Sequence, residues 1–120
     1  MNQMRVVVTG GRDYDDEETV DRELQKVMRS ANGKKIVFIA GGARGLDTLV
    51  EDWCLDHGVP CIVMKAPWNS HYGRRSGPVR NQWMIDFGLP TYGIVFPGGR
   101  GTADMHQRIK AAGINHHVVA

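Results

Sequence analysis

The sequence predicts a doubly wound α/β domain, with helices on both faces of a mainly parallel sheet of about five strands. Three observations carry this. Short apolar runs rich in β-branched residues recur along the 120 residues, separated by stretches of helical periodicity. The runs are continuously apolar, as in strands buried on both faces, and do not alternate. Three of them end in a glycine pair that leads into a helix. The length of 1–120 fits a single domain.

The elements follow in order. Met4–Thr9 (MRVVVT) reads as a buried strand ending at Gly10-Gly11. A helix is expected from about Asp16 to Ala31, because Val20, Leu24, Val27, Met28 and Ala31 share one face. Acidic residues crowd its start and Asn32-Gly33 ends it, as the helix dipole and C-cap preferences require. Lys35–Ala40 (KIVFIA) is the second strand, again closed by two glycines. The next helix runs from about Leu46 to His57, with Leu49, Val50, Trp53 and Cys54 inward and Gly58 as its stop. Pro60–Met64 is the third strand, and residues 66–77 form an aromatic and basic loop. Pro78 suits the first turn of a short helix over 78–87, which Gly88 closes. Tyr92–Phe96, a helix from about Thr102 to Ala112 and a last strand, Asn115–Val119, complete a Rossmann-like order. In such sheets ligands bind at the carboxyl edge of the strands, beside the point where strand order reverses.

Glycine makes up 15 of the 120 residues, against a usual share of about 7 %. Eight of the fifteen fall in the three strand-to-helix loops. The first loop is Gly10-Gly11-Arg12-Asp13-Tyr14, where Arg12 offers a planar fork for a phosphate. The second is Gly41-Gly42-Ala43-Arg44-Gly45-Leu46-Asp47. Small residues there leave helix N–H groups free for an anion. Asp47 can cap the helix or bond a ribose hydroxyl. The third, Pro97-Gly98-Gly99-Arg100-Gly101-Thr102-Ala103-Asp104, is the strongest signal, since its amides and the Thr102 hydroxyl can wrap a phosphate. It matches neither the Walker pattern nor GxGxxG. A fourth loop carries Trp68 and Tyr72 as stacking faces and Arg74, Arg75 and Arg80 as phosphate partners, with Asn81 next in the chain.

Several classes are disfavoured. The net charge of +2 is low for a protein that grips duplex nucleic acid. Cys54 and Cys61 are too few for a disulfide framework, and no apolar run approaches a membrane span or a signal peptide. A soluble protein in a reducing, cytoplasmic setting is expected. His57, His71, His106, His116 and His117 lack metal-ligand spacing with the cysteines, so no metal site is expected. His116 and His117, neighbours on a strand, point to opposite faces.

The motifs GGRDY, GGARGLD, the W…HYGRRSGPVRN loop and PGGRGTADM, in that order, resemble the SLOG superfamily, and within it the stand-alone YspA/YpsA-like branch. The resemblance covers essentially the whole chain. It implies a Rossmann-like domain that binds a nucleotide or nucleotide-derived molecule at its glycine loops. The superfamily also holds the lonely-guy phosphoribohydrolases and DNA-processing protein A. The lonely-guy pattern, PGGxGTxxE, ends in a catalytic glutamate, but Met105 stands at that position and Asp104 one residue before it. A thioether is no general acid or base. The Arg that accompanies the motif is matched by Arg80, with Asn81 where Lys is common.

These features give a binder of a nucleotide or nucleotide-derived molecule, signalling nucleotides among them, acting as sensor or sequestering protein. The alternative is a hydrolase of an N-glycosidic or phosphate bond, with Asp47, Asp104 and Arg80 as candidate catalytic residues. Single-stranded nucleic acid ranks below both. The ligand-contacting set is Gly11, Arg12, Asp13, Gly41, Gly42, Ala43, Arg44, Gly45, Asp47, Trp68, Tyr72, Arg74, Arg80, Asn81, Pro97, Gly98, Gly99, Arg100, Gly101 and Thr102. No cofactor beyond the nucleotide-type ligand is expected. Trp53, Trp68 and Trp83 in so small a domain suggest a homo-oligomer, with Trp83 and Phe87 at its interface.

Overall fold

A computed structural model describes residues 3–120; residues 1 and 2 of the expected domain lie outside the described residues. The chain runs β1 (Gln3–Thr9), α1 (Glu17–Ser30), β2 (Lys35–Ala40), α2 (Leu46–His57), β3 (Cys61–Val63), a 3-10 turn (Gly73–Arg75), α3 (Ser76–Asp86), β4 (Tyr92–Val95), α4 (Arg100–Ala111) and β5 (His116–Val118). The five strands form one parallel sheet in the order β3-β2-β1-β4-β5. Strand order reverses between β1 and β4, which fixes where a ligand site can open.

The two-residue period of a strand divides the core. Val6 and Val8 of β1 pack with Phe38, Ile94 and Phe96 against Val20, Leu24, Leu46, Val50 and Trp53 of α1 and α2. Val7 and Ile39 face the other way, toward Met84, Met105 and Ile109 of α3 and α4. Each fully buried aliphatic chain contributes roughly 1.5–3 kcal/mol relative to exposure. The sheet is thus covered on both faces, as its continuous apolar runs require. Among the described residues no helix is long and apolar enough to cross a membrane.

Helix boundaries follow local chemistry. Asp16 caps α1, accepting from the Thr19 N–H at 3.1 Å and the Thr19 hydroxyl at 2.6 Å. α3 begins at Ser76, two residues before the expected start, because the 3-10 turn feeds directly into it. Pro78 then sits in the first turn, where a missing N–H costs no helical bond. α4 begins at Arg100 and not Thr102, since Gly99 supplies the non-helical cap. The edge strands β3 and β5 are each three residues long, shorter than the apolar runs suggest, though inter-strand hydrogen bonds continue at Pro60, Met64, Asn115 and Val119. Beyond α3 the positive φ falls on Leu89, not Gly88. Gly93, the one strand glycine, lies under His116 and Ile109.

Candidate functional site

The loops after β1, β2 and β4 converge at the carboxyl edge of the sheet, tied together through Gly11. Its N–H donates to the Pro97 carbonyl at 2.9 Å, and its carbonyl accepts from the Leu46 N–H at 3.1 Å and the Tyr14 N–H at 3.2 Å. Close approach of backbones makes this possible. Gly45 has φ +76°, and a side chain there would overlap the Arg12 carbonyl. A Cβ on Gly98 would overlap the Thr102 hydroxyl.

Between these loops lies a cleft of about 580 Å³, a usual size for a small-molecule site. One wall is the first turn of α4. Gly99 is its N-cap and no side chain caps it, so the N–H groups of this turn lack a side-chain partner, and Gly99, Arg100, Gly101 and Thr102 line the cleft. The opposite wall carries Asp47 and Arg80. Arg80 is 9 % exposed; its Nη1 donates to the Gly41 and Met64 carbonyls, the latter at 3.4 Å, and its Nε donates to Asn81 Oδ1 at 3.1 Å. Asn81 then bridges to α4, donating from Nδ2 to Asp104 Oδ2 at 2.9 Å and to the Gly101 carbonyl at 3.2 Å. A buried arginine therefore holds the second loop, and its neighbour holds the third.

The two carboxylates of the cleft differ. Burial pushes the Asp47 carboxyl above its ordinary value, opposed by the Ala43 N–H, which donates to Oδ2 at 3.1 Å, and by the Arg80 charge. Asp47 therefore does not cap α2 by side chain; it folds back to pin the loop, and Gly45 is the cap. At Asp104 burial acts upward too, but hydrogen bonds from Arg108 (Nε to Oδ2, 2.8 Å) and Asn81 outweigh it, and the carboxyl sits below its ordinary value. Burial draws the Arg80 guanidinium down from its ordinary value, yet it stays cationic near neutral pH.

At the mouth, the Arg12 guanidinium lies 5.6 Å from the Trp68 ring centre, a cation–π pair. Trp68 is 48 % exposed. Gly11, Arg12, Asp13, Gly41, Ala43, Asp47, Trp68, Arg80, Asn81, Gly99, Arg100, Gly101, Thr102 and Asp104 all line the cleft. Gly42 lines a smaller hollow beside it with Lys65.

Other members of the expected set stand elsewhere. Tyr72 is carried by the 3-10 turn onto Trp83, ring centres 6.1 Å apart, and faces a separate groove with Arg75. Arg74 is exposed and lines neither. Arg44 points outward and pairs with exposed Asp13 at 3.4 Å. Gly45, Pro97 and Gly98 shape the loops without lining the cleft. Met105 is fully buried among Val7, Ile39, Met84 and Ile109, so its side chain belongs to the core. Sequence reasoning missed Val8, Thr9, Gly10, Gly77, Pro78 and Met84 as lining residues. Met84 was findable, since it lies one turn beyond Arg80 on the same helix face.

A family model described as YAcAr, the YspA, cpYpsA-related SLOG family, matches residues 4–71. That stretch holds the first two glycine loops, Trp68 and the segment between. Neither the curated proteins nor the solved structures gave a significant match.

Proposed function

The chain belongs to the YspA, cpYpsA-related SLOG family, and from that premise we propose that it binds a nucleotide or nucleotide-derived molecule as a sensor or sequestering protein. Family membership ties it to nucleotide-related ligand binding or processing. The observation that carries the finer reading is the pairing of chemistries in one cleft. The uncapped first turn of α4 suits a phosphate, and Trp68, across the mouth, offers an exposed ring to a base. Arg12, over that ring, supplies a cation at the same mouth.

The test is thermal unfolding with adenine and guanine nucleotides, cyclic dinucleotides and ADP-ribose derivatives. A ligand at 100 times its Kd adds about 2.7 kcal/mol to stability, near 11 °C for a chain of this length. Trp68→Ala should remove most of that shift. A panel with no rise for any ligand overturns the reading.

A second reading is favoured by Asp47, a carboxyl with a raised pKa at the cleft wall, beside Arg80. Such a group suits proton transfer during cleavage of an N-glycosidic or phosphate bond. Release of free base or phosphate that disappears in Asp47→Asn would support it. Binding without release favours the sensor.

We also propose a homo-oligomer, because Phe87 and Leu89 are 69 % and 64 % exposed at one end of α3. Sedimentation as a monomer would refute this. Cys54 and Cys61 are unpaired, which supports a reducing, cytoplasmic setting as part of the same reading.

A further inference from the structure

Away from the cleft, α4 and β5 bring two imidazoles together. His106 Nε2 and His116 Nε2 are 3.1 Å apart, with ring centres 4.9 Å apart and planes at 77°. Both side chains are partly buried, and neither lines the cleft. The local backbone makes room for them. Gly93 is the register partner of His116, and a Cβ at Gly93 would come within 3.3 Å of the His116 Cβ.

The neighbouring carbonyl fixes the tautomer of one ring. His116 Nδ1 lies 3.0 Å from the Ile114 carbonyl oxygen. A carbonyl only accepts, so Nδ1 carries the proton and Nε2 presents its lone pair to His106. A backbone carbonyl orients metal-binding histidines in this manner.

The contact departs from a straight hydrogen bond. A straight N–H···N bond of this length, in line with both rings, would hold the ring centres about 5.4 Å apart. A cation about 2.05 Å from each Nε2 subtends an angle of about 100° and sets the centres about 4.8 Å apart. The observed 4.9 Å is shorter than the in-line value, so the rings are tilted off a straight bond; a shared cation fits this tilt, as does a bent hydrogen bond from His106 to His116.

We infer that His106 and His116 form a binding site for one divalent transition-metal cation that prefers imidazole, such as zinc, nickel or copper. Among the described residues no cluster of three or more His, Cys, Asp or Glu side chains could hold a metal, so water completes the coordination. Two neutral nitrogens hold these cations but not magnesium or calcium, which demand oxygen. The bound cation cross-links α4 to the edge strand β5. This site is independent of the proposed nucleotide site.

The test titrates the full chain, free of any affinity tag, with nickel or zinc chloride by calorimetry, while imidazole resonances are followed by NMR. One equivalent should bind, and the His106 and His116 resonances should move while those of His71 and His117 do not. His106→Ala and His116→Ala should each weaken binding at least tenfold, and His117→Ala should leave it unchanged. Thermal unfolding without metal identifies any variant that fails to fold; His106→Gln, which keeps the helix surface polar, then stands in with the same expected loss. Magnesium should not compete. Absence of saturable binding, binding by the His106 and His116 variants as tight as the parent's, or loss of binding on Cys54→Ser or Cys61→Ser would each overturn the inference.

Discussion

Replacing Gly45 by alanine isolates the junction on which the cleft depends. Gly45 has φ +76° and ψ −125°, a conformation open to glycine and costing other residues about 1–3 kcal/mol. An added Cβ also overlaps the Arg12 carbonyl and the Gly11 carbonyl oxygen. The latter is the acceptor for Leu46, so relief by a backbone shift costs about 1–3 kcal/mol more. Stiffening of the unfolded chain returns about 0.4–1 kcal/mol. The net loss is about 3 kcal/mol, near 12 °C in Tm for 120 residues. Gly58→Ala is the matched control. It too has a positive φ, +65°, but at ψ +31° in the ordinary left-handed region with nothing within 4 Å of an added Cβ. Its loss should be about 0.5–1 kcal/mol. Urea unfolding of both variants measures the difference. Equal losses would refute the reasoning, because the overlap with the first loop would then carry no cost.

Two further outcomes are expected. Met105→Glu restores the glutamate of the lonely-guy pattern but buries it in the layer under α4; it should cost roughly 3–5 kcal/mol and create no hydrolysis, and a stably folded variant in urea titrations would contradict the core placement. Asp47 has a raised folded-state pKa, so its contribution to stability is full below the ordinary carboxylate pKa and is lost as pH rises through the raised value. Asp47→Asn should therefore gain stability relative to the parent as pH rises above the ordinary carboxylate range, and a difference constant with pH would exclude the assigned burial effect.

The parts of the fold legible in the sequence are those set by local periodicity. Val6 to Val8 announced a strand buried on both faces, and the Leu46–His57 helix appeared with both ends in place. The three glycine loops were legible because a βα connection at a sheet edge demands small residues where backbones meet. Reach was not legible. Trp68 and Tyr72 are four residues apart in one loop, yet the turn after Pro67 sends Trp68 to the cleft and Tyr72 onto Trp83. Asp47 looked like a helix cap, but its preference for the Ala43 N–H depends on where β2 delivers that loop. Arg80 is buried against the Gly41 and Met64 carbonyls, just past β2 and β3, a long-range fact with no local signature. The His106–His116 contact joins a helix to an edge strand and follows from register with Gly93, so side-chain spacing alone hides it.

The triple attachment of Gly11 has a consequence for how such a cleft can diversify. The first loop shares a hydrogen bond with each of the other two, so the three behave as one mechanical part. A one-residue insertion in any of them breaks register in all, and substitutions at Gly45 and Gly98 should show strong coupling in a double-mutant cycle. Variation that alters which ligand fits is then confined to the rim, where Arg12 and Trp68 are held by neither β-ladder nor loop junction. The floor of the cleft is a fixed mould by mechanics alone, and on the proposed reading selectivity rests with its lip.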